Sequence, residues 1–259
     1  MRDEPRIIIF DLETAPNLKE ILKVWPGLSA YPGLTLKATI TTIICAGWKV
    51  FGQKKTHCIN AWDYPEWKKD INDDKKLVKA IADILREADA VVTHNGKRFD
   101  WKFLQTRIMY HGLEPLPKIP HIDTKQVAKQ HLFALNNRLN TIGKLLVNDE
   151  KLTHEGWELW VKVCNRNKSA MSKMERYCKQ DVDLLEKCFK ELRPLINNIP
   201  NYNLFRTKYA GDKQVCPHCG GTSYASHGWR HTKTRSYRRM KCKGCHAVFI
   251  DQGDMPRSM

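Results

Sequence analysis

Ile7-Ile8-Ile9-Phe10-Asp11-Leu12-Glu13-Thr14 is the stretch on which the reading of this sequence turns. Its first half is a short, β-branched apolar run and reads as a buried strand. Two acids follow at positions i and i+2, and alternate residues of a strand share a face. Asp11 and Glu13 are therefore paired carboxylates at a strand's end. Two ordinary loop acids are the alternative.

Working outward, a second buried strand, Ala90-Val91-Val92, is followed by His94-Asn95-Gly96-Lys97-Arg98-Phe99-Asp100. This sets Asp100 near the start of a helix running from about Phe99 to His111, where an acid can also be a simple cap. Farther on, Met171, Met174, Cys178, Val182, Leu185, Phe189 and Leu192 repeat at three and four residues. That spacing predicts a long amphipathic helix, ended by Pro194. Tyr177 and Asp181 lie four apart on it, so they share a face that borders the apolar stripe. An aspartate deep in a helix is a weak helix former, and surface decoration is its bland explanation. Asp183 points elsewhere on the helix, and Asp123, in a strand-to-helix turn, reads as a cap.

The remaining elements are coarser. A loop with a short helix is expected from Pro16 to Pro32, and strands over Ala38–Val50 and Thr56–Ala61. Helices are expected over Lys75–Ala88 and from near Thr124 and Thr141. Strands first, then strands alternating with helices, imply an α/β fold with a mixed sheet flanked by helices.

The three acidic motifs in this order resemble the DEDD exonuclease superfamily, whose fold is ribonuclease H-like. The Tyr177-x-x-x-Asp181 spacing resembles its tyrosine-containing branch, to which proofreading domains of DNA polymerases belong. His121-Ile122-Asp123-Thr124 and Leu139-Asn140-Thr141-Ile142-Gly143 resemble connecting segments of such domains. Gln180-Asp181-Val182, with Leu192-Arg193-Pro194 after it, resembles small stand-alone exonucleases of bacteria and phages. The resemblance covers residues 5 to 196. It implies a 3′-to-5′ exonuclease using two magnesium or manganese ions, hard cations that take oxygen ligands. Asp11 would bridge the two ions. Glu13 and Asp181 would hold the one that activates water, and Asp100 the other, through a water. Tyr177 would orient the attacking water, Glu13 would also touch the terminal 3′ hydroxyl, and Asn95 would support the substrate strand.

The 259 residues carry 44 basic and 28 acidic side chains, a formal net charge of +16. A polyanionic partner fits that excess. From Phe205 to Met259 there are eleven Lys/Arg and three Asp/Glu, so about a fifth of the chain holds half the excess. Within it, Cys216-Pro217-His218-Cys219 and Cys242-Lys243-Gly244-Cys245 form two C-x-x-C units 22 residues apart. Such paired knuckles point to one structural zinc ion in a four-cysteine zinc ribbon, because soft thiolates suit zinc and so small a segment needs a staple. Two redox-active thiol pairs are the alternative. Between the knuckles, Trp229, Arg230, Lys233, Arg235, Tyr237, Arg238 and Arg239 mix base-stacking rings with phosphate-binding charge. A protein-docking ribbon is the competing reading.

Three segments follow: an exonuclease domain over residues 1–196, a linker over 197–212 and a zinc-ribbon nucleic-acid-binding module over 213–259. The other five of the nine cysteines (Cys45, Cys58, Cys164, Cys178, Cys188) read as buried thiols. A charged beginning and the lack of a long apolar run are the marks of a soluble, cytoplasmic protein, and the compact architecture suits a bacterium or a phage-infected cell. The expected partners are nucleic acid, DNA ahead of RNA, and a replication or repair protein, with no membrane. A structure-specific endonuclease and a catalytically inactive nucleic-acid-binding protein on the same scaffold are the alternatives.

Overall fold

Side-chain alternation along β1 (Ile7–Thr14) sorts the interior into two apolar clusters. Ile8, Phe10 and Leu12 enter one, and Ile7 and Ile9 the other. Asp11 and Glu13 extend the odd-numbered row beyond the apolar run. The computed structural model describes residues 4–15, 42–152, 156–206 and 214–251, and every structural statement concerns these. The loop expected over 16–32 and the first residues of the strand expected from Ala38 lie outside them.

β1 pairs antiparallel with β2 (Ile43–Val50), which pairs antiparallel with β3 (His57–Asn60). Its other edge pairs parallel with β4 (Ala90–Thr93), and β4 pairs parallel with β5 (His121–Asp123). The order β3-β2-β1-β4-β5 makes β1 the central strand. Helices α1 (Pro65–Lys69), α2 (Lys75–Arg86), α3 (Asp100–Tyr110), α4 (Thr124–His131), α5 (Leu139–Val147), α6 (Trp157–Cys164) and α7 (Lys168–Leu192) flank this mixed sheet. This is the expected ribonuclease H-like architecture. α1 and α6 are additions, each too short for its periodicity to stand out in the sequence, while the three-residue β5 is the strand before the turn expected at Asp123.

α7 follows from its sequence pattern. Asn167 caps it by accepting from the Ala170 N–H, and the apolar stripe from Met171 to Leu192 is buried along its length. Each large side chain fully buried there, such as Leu185 or Phe189, contributes about 2 kcal/mol. The stripe reaches farther round than expected, taking in Tyr177 and Asp181. A 3-10 turn over Arg193–Leu195, with Pro194 inside it, ends the helix. No described helix is long and apolar enough to cross a membrane.

Ion pairs fix the sheet's outer parts. Asp74 accepts from the Ile43 N–H at 2.8 Å and from Arg107 Nε at 3.0 Å, tying the start of β2 to α3. Lys49 joins Asp183 at 2.9 Å and Glu186 at 2.8 Å, so Asp183 is a structural partner of β2, away from the acidic motif beside it.

The C-terminal module is a separate antiparallel sheet of order β6-β7-β8, from β6 (Tyr224–His231), β7 (Ser236–Cys242) and β8 (Val248–Ile250). Its buried apolar set is small: Val215, Cys216, Met240, Cys242, Ala247 and Phe249. The stretch expected as a linker carries α8 (Asn203–Arg206) and packs against both modules in its described part. The Tyr202 N–H donates to the Pro217 carbonyl, and the Val215 N–H to Asn203 Oδ1, both at 2.9 Å. Arg193, at the end of α7, lies over the rings of Phe51, Phe189 and Tyr202 and donates to the His218 carbonyl. Among the five cysteines outside the C-x-x-C units, Cys45, Cys178 and Cys188 are buried as expected; Cys58 and Cys164 are only partly so, since β3 is the sheet's edge strand and Cys164 ends α6, and the sulfurs of Cys45, Cys58 and Cys178 lie within 4.8 Å of one another.

Candidate active site

The central strand delivers the first two acids. Asp11 and Glu13 flank Leu12 toward the end of β1 and face α7, which delivers Asp181. One carboxylate oxygen from each of Asp11, Glu13 and Asp181 lies within 4.8 Å of the other two. The close approach depends on Gly47, the β2 partner of Asp11 in the strand register. A Cβ there would come within 2.9 Å of both Cys178 Sγ and Val182 Cγ2, so only glycine lets α7 settle this deeply on the sheet.

Asp100 arrives by a different route. Directly after β4 the chain turns sharply, with Asn95 left-handed at φ 75. The Asn95 N–H donates to Asp123 Oδ1 at 2.9 Å and the Lys97 N–H to Asp123 Oδ2 at 3.2 Å. Asp123 also accepts from the Lys125 and Gln126 N–H groups at the start of α4, so it is the expected cap and a hub for the neighbouring turn as well. Gly96 sits so close to Thr93 that a Cβ would come within 2.3 Å of Thr93 Oγ1. His94 bridges Thr124 Oγ1 and the Asn137 carbonyl, each at 2.9 Å. This braced turn places Asp100 as the first residue of α3, with Phe99 in the cap position. The Leu12 N–H, between Asp11 and Glu13, hydrogen-bonds the Asp100 carboxylate. Asp100 thus joins the acidic group electrostatically but stands outside the tight trio.

Burial and mutual repulsion set the electrostatics of this group. Burial, then the proximity of Asp181, Glu13 and Asp100, holds Asp11 well above the ordinary carboxylate range. Burial and Asp181 raise Glu13 to about 8. Burial raises Asp100 to about 7 against the pull of its backbone hydrogen bonds. A cluster of carboxylates that resists ionisation in this way is suited to a bound cation. The donor set fits a hard divalent ion: all oxygen, several negative charges, and Asp11 central to the group.

One member of the site carries no sequence motif. Lys151, from the segment after α5, places Nζ 2.5 Å from Asp181 Oδ2 and 3.1 Å from the Tyr177 hydroxyl. Burial opposes its charge, yet Asp181 and Asp11 hold its ammonium above the usual lysine value. A lone lysine in a polar stretch has no spacing to mark it; only a charge deficit among the buried acids hints that a cation must arrive from elsewhere.

Tyr177 is buried, edge-on to Trp160, with burial and Asp181 pushing its hydroxyl above the usual phenol value. Among the other expected residues, Asn95 lies in the braced turn leading to Asp100. Trp229, Arg230, Lys233, Arg235 and Arg238 are exposed on the β6–β7 hairpin, with Tyr237 and Arg239 partly buried. Trp229 faces Arg238 and Arg230 faces Tyr237 in the strand register, so rings and guanidinium groups interleave.

The second cluster is sulfur. One Sγ from each of Cys216, Cys219, Cys242 and Cys245 lies within 4.8 Å of the others. Cys216 and Cys245 approach to 3.7 Å, and Cys219 and Cys242 to 3.6 Å. The Gly221 N–H points at Cys219 Sγ at 3.4 Å and the Gly244 N–H at Cys242 Sγ at 3.3 Å. Backbone donors two residues past a cysteine favour its thiolate, as a tetrahedral metal site requires.

A search of curated proteins gave no match. Among solved structures, the family B DNA polymerase from the hyperthermophilic archaeon Pyrobaculum calidifontis aligns with a TM-score of 0.51 at 12% sequence identity. The alignment takes in 91% of this chain but only 32% of the polymerase, so the chain spans about a third of that protein, and the likeness is one of fold. The RNase_H_2 family profile, of the RNase_H superfamily, matches residues 34–193. That stretch begins after β1 and contains Asp100, Tyr177 and Asp181. It covers more than half of the sequence, and the chain belongs to the RNase_H superfamily.

Proposed function

We propose that the protein is a metal-dependent 3′-to-5′ exonuclease acting on nucleic acid, with DNA as its main substrate. The observation that carries this is the meeting of Asp11, Glu13 and Asp181 within 4.8 Å on the central strand and longest helix of an RNase_H-superfamily sheet. Asp11, Glu13, Asp181 and Asp100 would hold two magnesium or manganese ions, which when bound supply Lewis acidity toward the phosphate and the attacking water.

The chain's own residues do the rest. Tyr177 presents its hydroxyl beside Asp181, where it orients the water that attacks phosphorus. Glu13, at the end of β1, accepts from the terminal 3′ hydroxyl and so restricts cleavage to strand ends. The turn around Asn95, braced by Asp123 and His94, supports the last nucleotides. The four-cysteine cluster holds one zinc ion and folds the ribbon, whose hairpin grips the strand through Trp229, Arg230, Lys233, Arg235, Tyr237, Arg238 and Arg239. The docking of the ribbon through Arg193, Tyr202 and Val215 supports this reading, because a grip held against the nuclease module can register the strand.

The test is digestion of end-labelled single-stranded DNA and RNA with magnesium or manganese, wild type beside Asp11→Ala. A ladder shortening from the 3′ end, lost with chelator and in the variant, is the expected result. Internal cuts confined to branched DNA would replace it with a structure-specific endonuclease. Binding without cleavage of any substrate would leave a nucleic-acid-binding protein.

A further inference from the structure

Asp181 is 1% exposed and sits inside a helix with two other carboxylates close by, yet a cation of the chain's own is already on it. Lys151 Nζ touches Asp181 Oδ2 at 2.5 Å, donates to the Tyr177 hydroxyl at 3.1 Å and lies 5.1 Å from the centre of that ring. Its side chain is 29% exposed.

The position is built. The Lys151 N–H donates to Asn140 Oδ1 at 2.9 Å. Gln180, the neighbour of Asp181 on α7, clasps the segment on both sides of the lysine. It accepts from the Leu152 N–H at 2.8 Å and donates to the Glu150 carbonyl at 3.0 Å. The helix that supplies the acid thus also holds the backbone that supplies the base.

An ammonium and a divalent ion cannot share one carboxylate oxygen without strong repulsion, which falls off slowly where water is scarce. We propose that Lys151 is the resident cation of the acidic site, competing with a divalent ion for Asp181. In the metal-free protein it neutralises part of the carboxylate charge and keeps Asp181 and Tyr177 in place. A divalent ion reaches Asp181 Oδ2 only as the ammonium leaves it. Lys151 therefore sets the ion concentration at which this half of the site fills. It is a positioning residue, acting through Asp181. The inference rests on reading the carboxylates as a divalent-ion site.

Calorimetric titration of the zinc-loaded, full-length protein with manganese, in the absence of nucleic acid, tests it. Lys151→Met keeps the stem and removes the charge, Lys151→Arg keeps the charge, and Asp11→Ala reports whether the carboxylates bind the ion at all. Lys151→Met is expected to bind manganese about tenfold tighter than wild type, with Lys151→Arg close to wild type. The melting temperature of Lys151→Met should also rise more on adding manganese. Should Lys151→Met fail to fold, Lys151→Gln gives the same readout. Equal affinity in wild type and the uncharged variant, with binding lost in Asp11→Ala, overturns the competition alone. Wild-type binding that Asp11→Ala leaves unchanged overturns the metal-site reading beneath it.

Discussion

The carboxylate cluster and the cysteine cluster are assembled in opposite ways. The four cysteines come from two short knuckles, each with a backbone N–H aimed at sulfur, and the surrounding buried set is small: Val215, Cys216, Met240, Cys242, Ala247 and Phe249. The four acids come from a central strand, the start of α3 and the middle of α7, all carried by an apolar interior extensive enough to fold by itself. In the ribbon, then, the metal is expected to make the structure. In the nuclease module the structure would make the proposed metal site, holding like charges together at a cost. Removing metal should unfold the first and relax the second.

The largest expected effect tests that contrast directly. Stripping zinc, or replacing Cys242 by Ser, should unfold the ribbon, because zinc binding contributes about 10 kcal/mol in such small modules. Hydrogen exchange should show β6 to β8 losing protection while β1, β4 and α7 keep theirs. Loss of protection throughout would mean that the docking through Arg193 and Tyr202 makes the two modules one cooperative unit.

Asp181→Ala acts on the other cluster. Cleavage should fall by about three orders of magnitude, as when a preorganised electrostatic group is removed. Thermal stability should hold or rise, because one of several mutually repelling carboxylates is gone. A large fall in melting temperature would show that the Lys151–Asp181 pair stabilises the fold more than the carboxylate repulsion weakens it.

Gly47→Ala is a subtler probe. The added methyl collides with Cys178 and Val182, so α7 must lift from the sheet at a cost of about 1–3 kcal/mol. Because Asp181 rides on that helix, activity should fall more than stability alone accounts for, while the zinc content of the ribbon stays unchanged.

The pH dependence should also differ between the clusters. Glu13 and Asp100 are raised to about 8 and about 7 by burial in the metal-free protein. A raised carboxylate favours folding when protonated, so its contribution is full below the ordinary carboxylate range and lost as pH rises through 7 to 8. The metal-free nuclease module should therefore lose stability over that window, and manganese should reverse the loss. Manganese affinity should climb by up to about tenfold per pH unit for each proton displaced, levelling off above pH 8. An affinity flat from pH 6 to 9 would mean the carboxylates are already ionised.

Smallest is the effect of single ribbon charges. Lys233→Ala or Arg238→Ala should lower the slope of log affinity against log salt by about 0.7–0.9 each if the side chain meets a phosphate. An unchanged slope would turn the hairpin toward a protein partner.

Much of this was legible in the chain because the signals are local. Asp11 and Glu13 follow a run of apolar β-branched residues. Tyr177 and Asp181 are one helical turn apart on a stripe with a clear period. The C-x-x-C units announce themselves by spacing. Each of these patterns is set by backbone geometry, whose repeat is short enough to read along the sequence. The mixed sheet followed from the same kind of pattern, whereas α1 and α6 were too brief to show one.

The rest depends on which distant residues meet, and no local period encodes that. Lys151 reaches Asp181 because Asn140 and Gln180 grip its segment. Asp123 braces the turn before Asp100 because β5 pairs with β4. Gly47 matters only once α7 lies across β2. Arg193 ties the two modules because three aromatic rings and a knuckle carbonyl converge at the end of α7. Motifs along the chain name the chemical groups of a site, while long-range packing decides how close their charges are forced and which cation must answer them.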